Sequence, residues 1–225
     1  MISLRNVTRS YPNSGAALDN VSLEIAEFDF VAITGPSGCG KSTLLHLLGA
    51  MDTPTAGEIT IGALALHLAT ERQRTEYRRR DLGVVFQFFN LLPTMTVLEN
   101  VSLPLLLQGV PRGEVTERAM EMIELVGLSD RSSHGIHQLS GGQMQRTAIA
   151  RALIHRPRLV LADEPTGNLD SAHAGQVLEL LQKIASLRRT TLIVVTHSEE
   201  VARGASRRIS MRDGKILRPN DDHHS

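Results

Sequence analysis

The sequence has little of what would send a chain to an oxidising compartment, a bilayer or a polyanion. Its single cysteine, Cys39, excludes an internal disulfide and points to a reducing compartment. Lysine plus arginine equals aspartate plus glutamate at 24 each, so there is no basic surplus for a nucleic-acid backbone. No charged-then-apolar leader opens the sequence, which fits the cytoplasm. No apolar run approaches the roughly 20 residues a bilayer requires. The richest stretch, Val101 to Leu107, is interrupted by Ser102 and Pro104. Internal repeats, low-complexity tracts and heptad series are also missing. With 225 residues, 41% of them apolar, the composition suits one globular domain with a sizeable core.

What is present begins with Gly35, Pro36, Ser37, Gly38, Cys39, Gly40, Lys41, Ser42 and Thr43, lying between the apolar run Phe30–Ile33 and the helical pattern Leu44–Leu48. A strand, a glycine-rich turn and a helix in that order predict a phosphate cradle. Small residues let successive N–H groups curl around an anion, and the helix points its positive end at it. Lys41 would reach the outer phosphates and the Ser42 hydroxyl would meet magnesium.

Ile2 to Ile25 alternates short apolar pieces with turn signals, which predicts antiparallel strands. Leu82–Phe86, Leu159–Ala162 and Leu192–Val195 read instead as strands buried on both faces of a parallel sheet. Ligands of such sheets lie beyond the carboxyl ends of the strands, so Gln87, Asp163-Glu164 and Thr196-His197 are expected to converge on the Gly35 loop. Between Phe88 and Pro157 the pattern is helical, with a helix over Arg112–Val126. A helix from Ser171 to about Arg188 carries Val177, Leu181 and Ile184 as a core stripe.

A second glycine turn, Leu139-Ser140-Gly141-Gly142-Gln143, leads into a helix read over Met144–His155, and a strand ending in Asp163-Glu164 follows. Such an acidic pair can offer one carboxylate to magnesium and another to a water molecule. With these motifs in this order, the chain resembles the ATP-binding subunits of ABC transporters along essentially its whole length. The resemblance implies an α/β fold: a P-loop NTPase core with a parallel sheet, an N-terminal antiparallel β-layer and an inserted helical subdomain. It implies one domain over 1–225, with 1–87 and 157–225 forming β-layer and core and 88–156 the helical subdomain.

It also implies roles. Tyr11 stacks on adenine, and residues 35–43 form the Walker A loop. Gln87 is the Q-loop glutamine, Ser140 to Gln143 lie in the signature, Asp163 ends Walker B and Asp170 lies in the D-loop. The implied cofactors are ATP and Mg2+, the metal falling to Ser42, Gln87 and Asp163. Catalysis falls to Glu164 as general base with His197, Gln87 and Lys41. Two copies would pair head to tail, so that Ser140, Gly141, Gly142, Gln143 and Asp170 complete the partner's nucleotide site. The phrases Phe86–Pro93 and Ala162–Asp170 are similar to ATPases of lipoprotein-release, macrolide-export and cell-division systems. That subgroup places the chain on the cytoplasmic face of the inner membrane, bound to an integral-membrane permease. One departure stands out, because Phe28-Asp29 replaces the usual Gly-Glu before the Walker A strand and puts the turn there in question.

Several residues have a plainer reading. Tyr11 could fill the β-layer, and His197 could be a hydrogen-bonded core histidine. Cys39 could be a small filler rather than a reactive thiol whose alkylation blocks nucleotide. The arginines from Arg72 to Arg80 read as a solvated helix face rather than a lipid contact. Phe88, Phe89, Leu91, Leu92 and Met95 would be awkward in water unless covered, and the Gln87–Val101 stretch is the candidate dock for the permease. The competing functions are a soluble ABC ATPase of translation or chromosome maintenance and a simple nucleotide kinase or GTPase. The first is disfavoured by the single motif set without a coiled coil, and the second would leave Leu139–Gln143 idle.

Overall fold

A computed structural model of the chain describes residues 1–12, 15–169 and 171–217, apart from the side chains of 171–173. The elements begin with strands β1 (Ile2–Tyr11), β2 (Gly15–Ile25) and β3 (Phe30–Thr34), then helix α1 (Lys41–Leu48). Strands β4 (Ala56–Ile61) and β5 (Leu64–Ala65), helix α2 (Glu71–Arg80) and strand β6 (Leu82–Val85) follow. Next come helices α3 (Val97–Leu107), α4 (Arg112–Leu125) and α5 (Gly141–Leu153), strand β7 (Leu159–Asp163) and helix α6 (Ser171–Leu187). Strand β8 (Thr191–Val195), helix α7 (Glu199–Arg203) and strands β9 (Arg207–Arg212) and β10 (Lys215–Ile216) close the order. The chain divides into two compact units, Met1–Arg78 with Thr191–Ser225, and Arg79–Thr190.

In the first unit, the alternation of the opening segment forms an antiparallel layer. β1 pairs with β2 through Ile2↔Ile25 and Leu4↔Leu23, and with β4 through Ile2↔Ile61 and Leu4↔Ile59. Period two sends Ile2 and Leu4 of β1 and Val21, Leu23 and Ile25 of β2 to the buried face, and an irregularity between Leu4 and Val7, where Asn6 has φ 48°, returns Val7 to it. The continuous apolar run of β3 pairs in parallel with β8 and with β9, and Val31, Ala32 and Ile33 are fully buried. The register Ile33↔Val195 brings Gly35 and Thr196-His197 to the same end of the strands.

Phe28 keeps the turn before β3 by adopting the left-handed region, φ 66°. Its N–H donates to Thr191 Oγ1 at 2.9 Å, and the neighbouring Asp29 carboxylate accepts from Ala26 N at 3.2 Å. The departure from Gly-Glu therefore leaves the turn in place at a conformational cost of about 1–2 kcal/mol. Burying Val31 or Ile33 of β3 contributes about 1.5–3 kcal/mol each, so the packing of the strand outweighs that strain.

In the second unit, β6 and β7 pair in parallel from Leu82↔Leu159 to Val85↔Ala162, so Gln87 and Asp163-Glu164 follow the same strand ends. The helices pack their apolar stripes inward: Val115, Ala119, Met122 and Ile123 on α4, Ala148, Ile149, Ala152 and Leu153 on α5, and Val177, Leu181 and Ile184 on α6. α5 starts at Gly141, three residues before the start read from the sequence. Ser140 and Gln143 form a capping box there that offsets the poor helix propensity of two glycines. α3 has its own box, Thr96 with Glu99, and the fully buried Asn100 binds both the N–H and the carbonyl of Leu92.

Candidate functional site

In the first unit, the chain leaves buried β3 at Thr34 and turns through Gly35 to Gly40 before α1 begins. Pro36, Ser37 and Gly38 are exposed, as is Ser42 in the first turn of the helix. Gly40 is the N-cap at φ 101° and offers no side-chain cap. A Cβ there would also stand 2.3 Å from the Ala17 carbonyl oxygen, so both conformation and space require glycine. Gly35 is likewise pressed against the chain, where a Cβ would meet Met211 O at 2.2 Å. Gly40 itself thus supplies no side-chain oxygen to the first turn of α1, and a helix N-terminus of this kind favours an anionic ligand.

Lys41 Nζ donates to the carbonyl oxygens of Gly35 and Pro36 at 2.8 and 2.9 Å, which folds the ammonium back over the loop. Thr43 is half-buried one residue beyond Ser42. Cys39 is only 3% exposed, packed inside the loop, which suits a filler rather than a reactive thiol. His197 is exposed directly after the fully buried Thr196, which rules out the core-histidine reading. Tyr11, half-buried at the end of β1, is not a simple filler either, since its hydroxyl donates to Asp52 Oδ2 at 2.8 Å.

The second unit gathers the remaining motif residues. Ser140 Oγ accepts from Gln143 N at 3.3 Å, and Gln143 Oε1 accepts from Ser140 N at 2.9 Å, so the signature glutamine spends its oxygen on holding the turn. Gly141 is half-buried and Gly142 buried, their backbone forming the first turn of α5. β7 ends on half-buried Asp163, and Glu164 takes a left-handed backbone, φ 44°, unusual for a non-glycine residue and typical of strained functional positions. Gln87 lies beside this corner. Its carbonyl accepts from Asn168 Nδ2 at 2.7 Å, and a Cβ on Gly167 would stand 3.1 Å from its Nε2. Gln145 Nε2, from α5, donates to the Pro165 carbonyl at 2.6 Å. Asp170 lies outside the described residues.

Gln87 also leads into a loop that another part of the unit grips. Phe89 and Asn90 both have positive φ, 58° and 47°, and Arg151 of α5 donates to their carbonyl oxygens at 2.9 and 2.6 Å. Burial lowers the Arg151 pKa from its usual value, a cost offset by these two bonds. Beside the clamp, Phe88 is 73% exposed. Leu92 is exposed as well, while Phe89, Leu91 and Met95 are half-buried. On α2, the arginine stretch is a polar surface that binds its own neighbours: Arg78 pairs with Glu71 and donates to the Ala50 carbonyl.

The sequence reading missed Arg9, Asp52, Gln145 and Arg151. Asp52 accepts from Tyr11 and pairs with Arg9 at 2.7 Å. Burial pushes its carboxyl up, but the Thr53 N–H, the Tyr11 hydroxyl and Arg9 outweigh that and hold it below the usual carboxylate value. A lone aspartate after a helix offers no spacing signal, and only the fold brings it to Tyr11.

The family model described as ABC transporter matches residues 18–167. The chain belongs to the ABC transporter ATPase family. It is an ATP-binding cassette, and an uncharacterised ABC transporter ATP-binding protein of Methanocaldococcus jannaschii, MJ1508, is 46% identical over 220 residues, 96% of this chain and 98% of that one. The lipoprotein-releasing system ATP-binding protein LolD of Legionella pneumophila is 49% identical over 199 residues, 88% of each chain. Among solved structures, the post-hydrolysis dimer of the ATP-binding cassette MJ0796 bound to ADP and Pi superposes with TM-score 0.89 at 43% identity, covering 97% of both chains. A second dimeric structure of MJ0796, described as a bacterial ABC transporter cassette, gives TM-score 0.88 at 44% identity and the same coverage. These likenesses give the fold of the cassette: P-loop core, antiparallel β-layer and helices. Among the described residues, no helix is long and apolar enough to cross a membrane.

Proposed function

We propose that this ATPase works as a head-to-tail homodimer that closes on ATP and drives an integral-membrane permease of the lipoprotein-releasing kind. The observation that carries the reading is the α1 N-terminus, capped by a glycine without a side-chain oxygen behind a glycine turn, in a chain 49% identical to a lipoprotein-releasing ATPase. In each copy the loop from Gly35 to Thr43 wraps the phosphates with backbone N–H groups, and Lys41 leaves its carbonyl partners for the outer phosphates. Ser140, Gly141 and Gly142 of the other copy approach the γ-phosphate, with Gln143 holding their turn and Asp170 acting across the same interface. Tyr11 stacks under adenine.

Hydrolysis needs a positioned water and stabilisation of the charge that builds on the γ-phosphate. Glu164 orients and polarises the water, His197 supports the developing charge by donating a hydrogen bond, and Gln87 reads the γ-phosphate. Ser42, Asp163 and Gln87 each offer an oxygen, the donor chemistry that magnesium selects. Held by these residues, Mg2+ would supply charge neutralisation to the outer phosphates.

The stroke leaves through the exposed Phe88 and Leu92, on the loop that Arg151 clamps, into a permease segment. The protein would then sit on the cytoplasmic face of the inner membrane, attached through that partner and without nucleic acid. Glu164→Gln tests the reading: with ATP it should run as a stable dimer in size-exclusion chromatography and show almost no turnover. A monomeric Glu164→Gln protein at saturating ATP would defeat the dimer, and rapid turnover would remove Glu164 as the base. Co-purification with an integral-membrane protein, as opposed to ribosomes or DNA, separates this reading from a soluble role.

A further inference from the structure

Three side chains of the first unit, Arg9 and Tyr11 from β1 and Asp52 from the segment after α1, close on one another at the end of β1. Tyr11 Oη donates to Asp52 Oδ2 at 2.8 Å. Arg9 Nη2 lies 2.7 Å from Asp52 Oδ1, and the Arg9 guanidinium carbon stands 4.5 Å from the centroid of the Tyr11 ring. One carboxylate therefore holds both the hydroxyl and the cation, and the cation covers one face of the ring. The Thr53 N–H fixes the carboxylate in turn, donating to Asp52 Oδ1 at 2.7 Å.

Each contact removes a freedom of the tyrosine. The hydroxyl bond sets the direction of the ring, and the guanidinium beneath it sets the tilt and takes one π-face. Both charged side chains are about four-fifths covered, 22% and 21% exposed, where charge-assisted hydrogen bonds and cation–π contacts are stronger than on an open surface. Arg9 Nε is buried and has no hydrogen-bond partner among the described residues. The guanidinium is thus held by the ring and the carboxylate. The ring itself stays half-exposed at the end of β1.

We propose that Arg9 and Asp52 are positioning residues that set Tyr11 as a preformed stacking platform, and so give the site its preference for a nucleoside triphosphate over a bare polyphosphate chain. This rests on the reading of Tyr11 as the residue under adenine. A ring ordered beforehand spares the base the ordering penalty on binding, a difference of about threefold to tenfold in affinity. The phosphate loop makes its own contacts, so a polyphosphate without a base is indifferent to the platform.

The test titrates the full chain with ATP and with tripolyphosphate by calorimetry and measures steady-state ATPase. The variants are Tyr11→Ala, Tyr11→Phe, Asp52→Asn, Arg9→Met and the double variant Tyr11→Ala with Asp52→Asn. Asp52→Asn and Arg9→Met are expected to weaken ATP about threefold to tenfold, with the loss in KM rather than kcat and tripolyphosphate affinity unchanged. Tyr11→Phe keeps the ring and deletes only the bond to Asp52, so it should reproduce the Asp52→Asn loss. In the Tyr11→Ala background, Asp52→Asn should add nothing. Equal losses toward tripolyphosphate, wild-type ATP affinity in Tyr11→Phe, or additivity in the double variant would each overturn the proposal. Should Tyr11→Ala itself bind ATP like the wild type, the stacking reading falls and the proposal with it. Should Tyr11→Ala weaken ATP while Asp52→Asn and Arg9→Met do not, Tyr11 keeps its role and only the positioning claim is lost.

Discussion

Gln145 donates its Nε2 hydrogen to the Pro165 carbonyl at 2.6 Å, in a pocket where the glutamine has no exposed surface. The bond joins the helix behind the signature to the residue that follows Glu164. Removing the donor leaves a buried carbonyl unpaired, which costs about 1–3 kcal/mol. Gln145→Ala should therefore lower the melting temperature by about 2–4 °C per kcal/mol lost, measured by calorimetry or circular dichroism. An unchanged melting temperature would show that water or a neighbouring group replaces the bond.

Phe28 tests the strain before the Walker A strand. Its left-handed backbone costs about 1–2 kcal/mol, whereas glycine gives up about 0.5–1 kcal/mol of chain entropy. The side chain is half exposed, so its loss forfeits little packing. Phe28→Gly should gain about 0.5 kcal/mol in urea unfolding, and Phe28→Ala should not, since it keeps the strain. A destabilised Phe28→Gly would mean that the ring packs more than its exposure suggests.

The opposite applies at Gly40, where φ is 101° and a Cβ would stand 2.3 Å from the Ala17 carbonyl oxygen. Gly40→Ala combines backbone strain with overpacking and should cost at least about 2 kcal/mol. It should also abolish binding of a fluorescent ATP analogue. Exposed Ser37 carries no such constraint, so Ser37→Ala should fold and bind like the wild type. Nucleotide binding by Gly40→Ala would argue that the loop can shift as a body.

His155 gives a pH dependence of fixed sign. Burial lowers its pKa below the usual 6.5, Arg118 adding to the effect while the Leu82 carbonyl and Asp81 oppose it. The ring is neutral in the folded chain, with Nε2 2.9 Å from Leu82 O. Above about pH 6.5 neither state carries the proton and the contribution is complete. As pH falls below that value the unfolded chain takes up the proton first, and stability drops until the folded pKa is reached. His155→Gln, whose amide can still donate to Leu82, should lose less melting temperature than the wild type between about pH 7.5 and 5.5. Equal slopes would place the acid sensitivity elsewhere.

The parts of the molecule that could be read from the sequence were those where the backbone itself makes the demand. Gly35 and Gly40 are glycines because carbonyl oxygens stand where a Cβ would go, and that requirement is written residue by residue in the motif. The apolar runs of β3, β7 and β8 were legible because burial on both faces leaves no polar alternation. The start of α5 was less so, since two glycines argue against a helix until the Ser140–Gln143 box is seen to supply the missing bonds. Arg151 and Asp52 could not be found at all. Each acts through contacts formed some 61 or 41 positions away along the chain, and such contacts leave no local pattern.

The capping box at the signature also fixes the polarity of a hydroxyl. Because Ser140 Oγ accepts the Gln143 N–H, a lone pair is committed inward and the hydroxyl proton is not spent on that bond. Serine and aspartate cap helices about equally well, so an aspartate here would preserve α5 while presenting a negative charge instead of a donor. The fold tolerates either residue, whereas an anion arriving from a second subunit would be welcomed by one and repelled by the other.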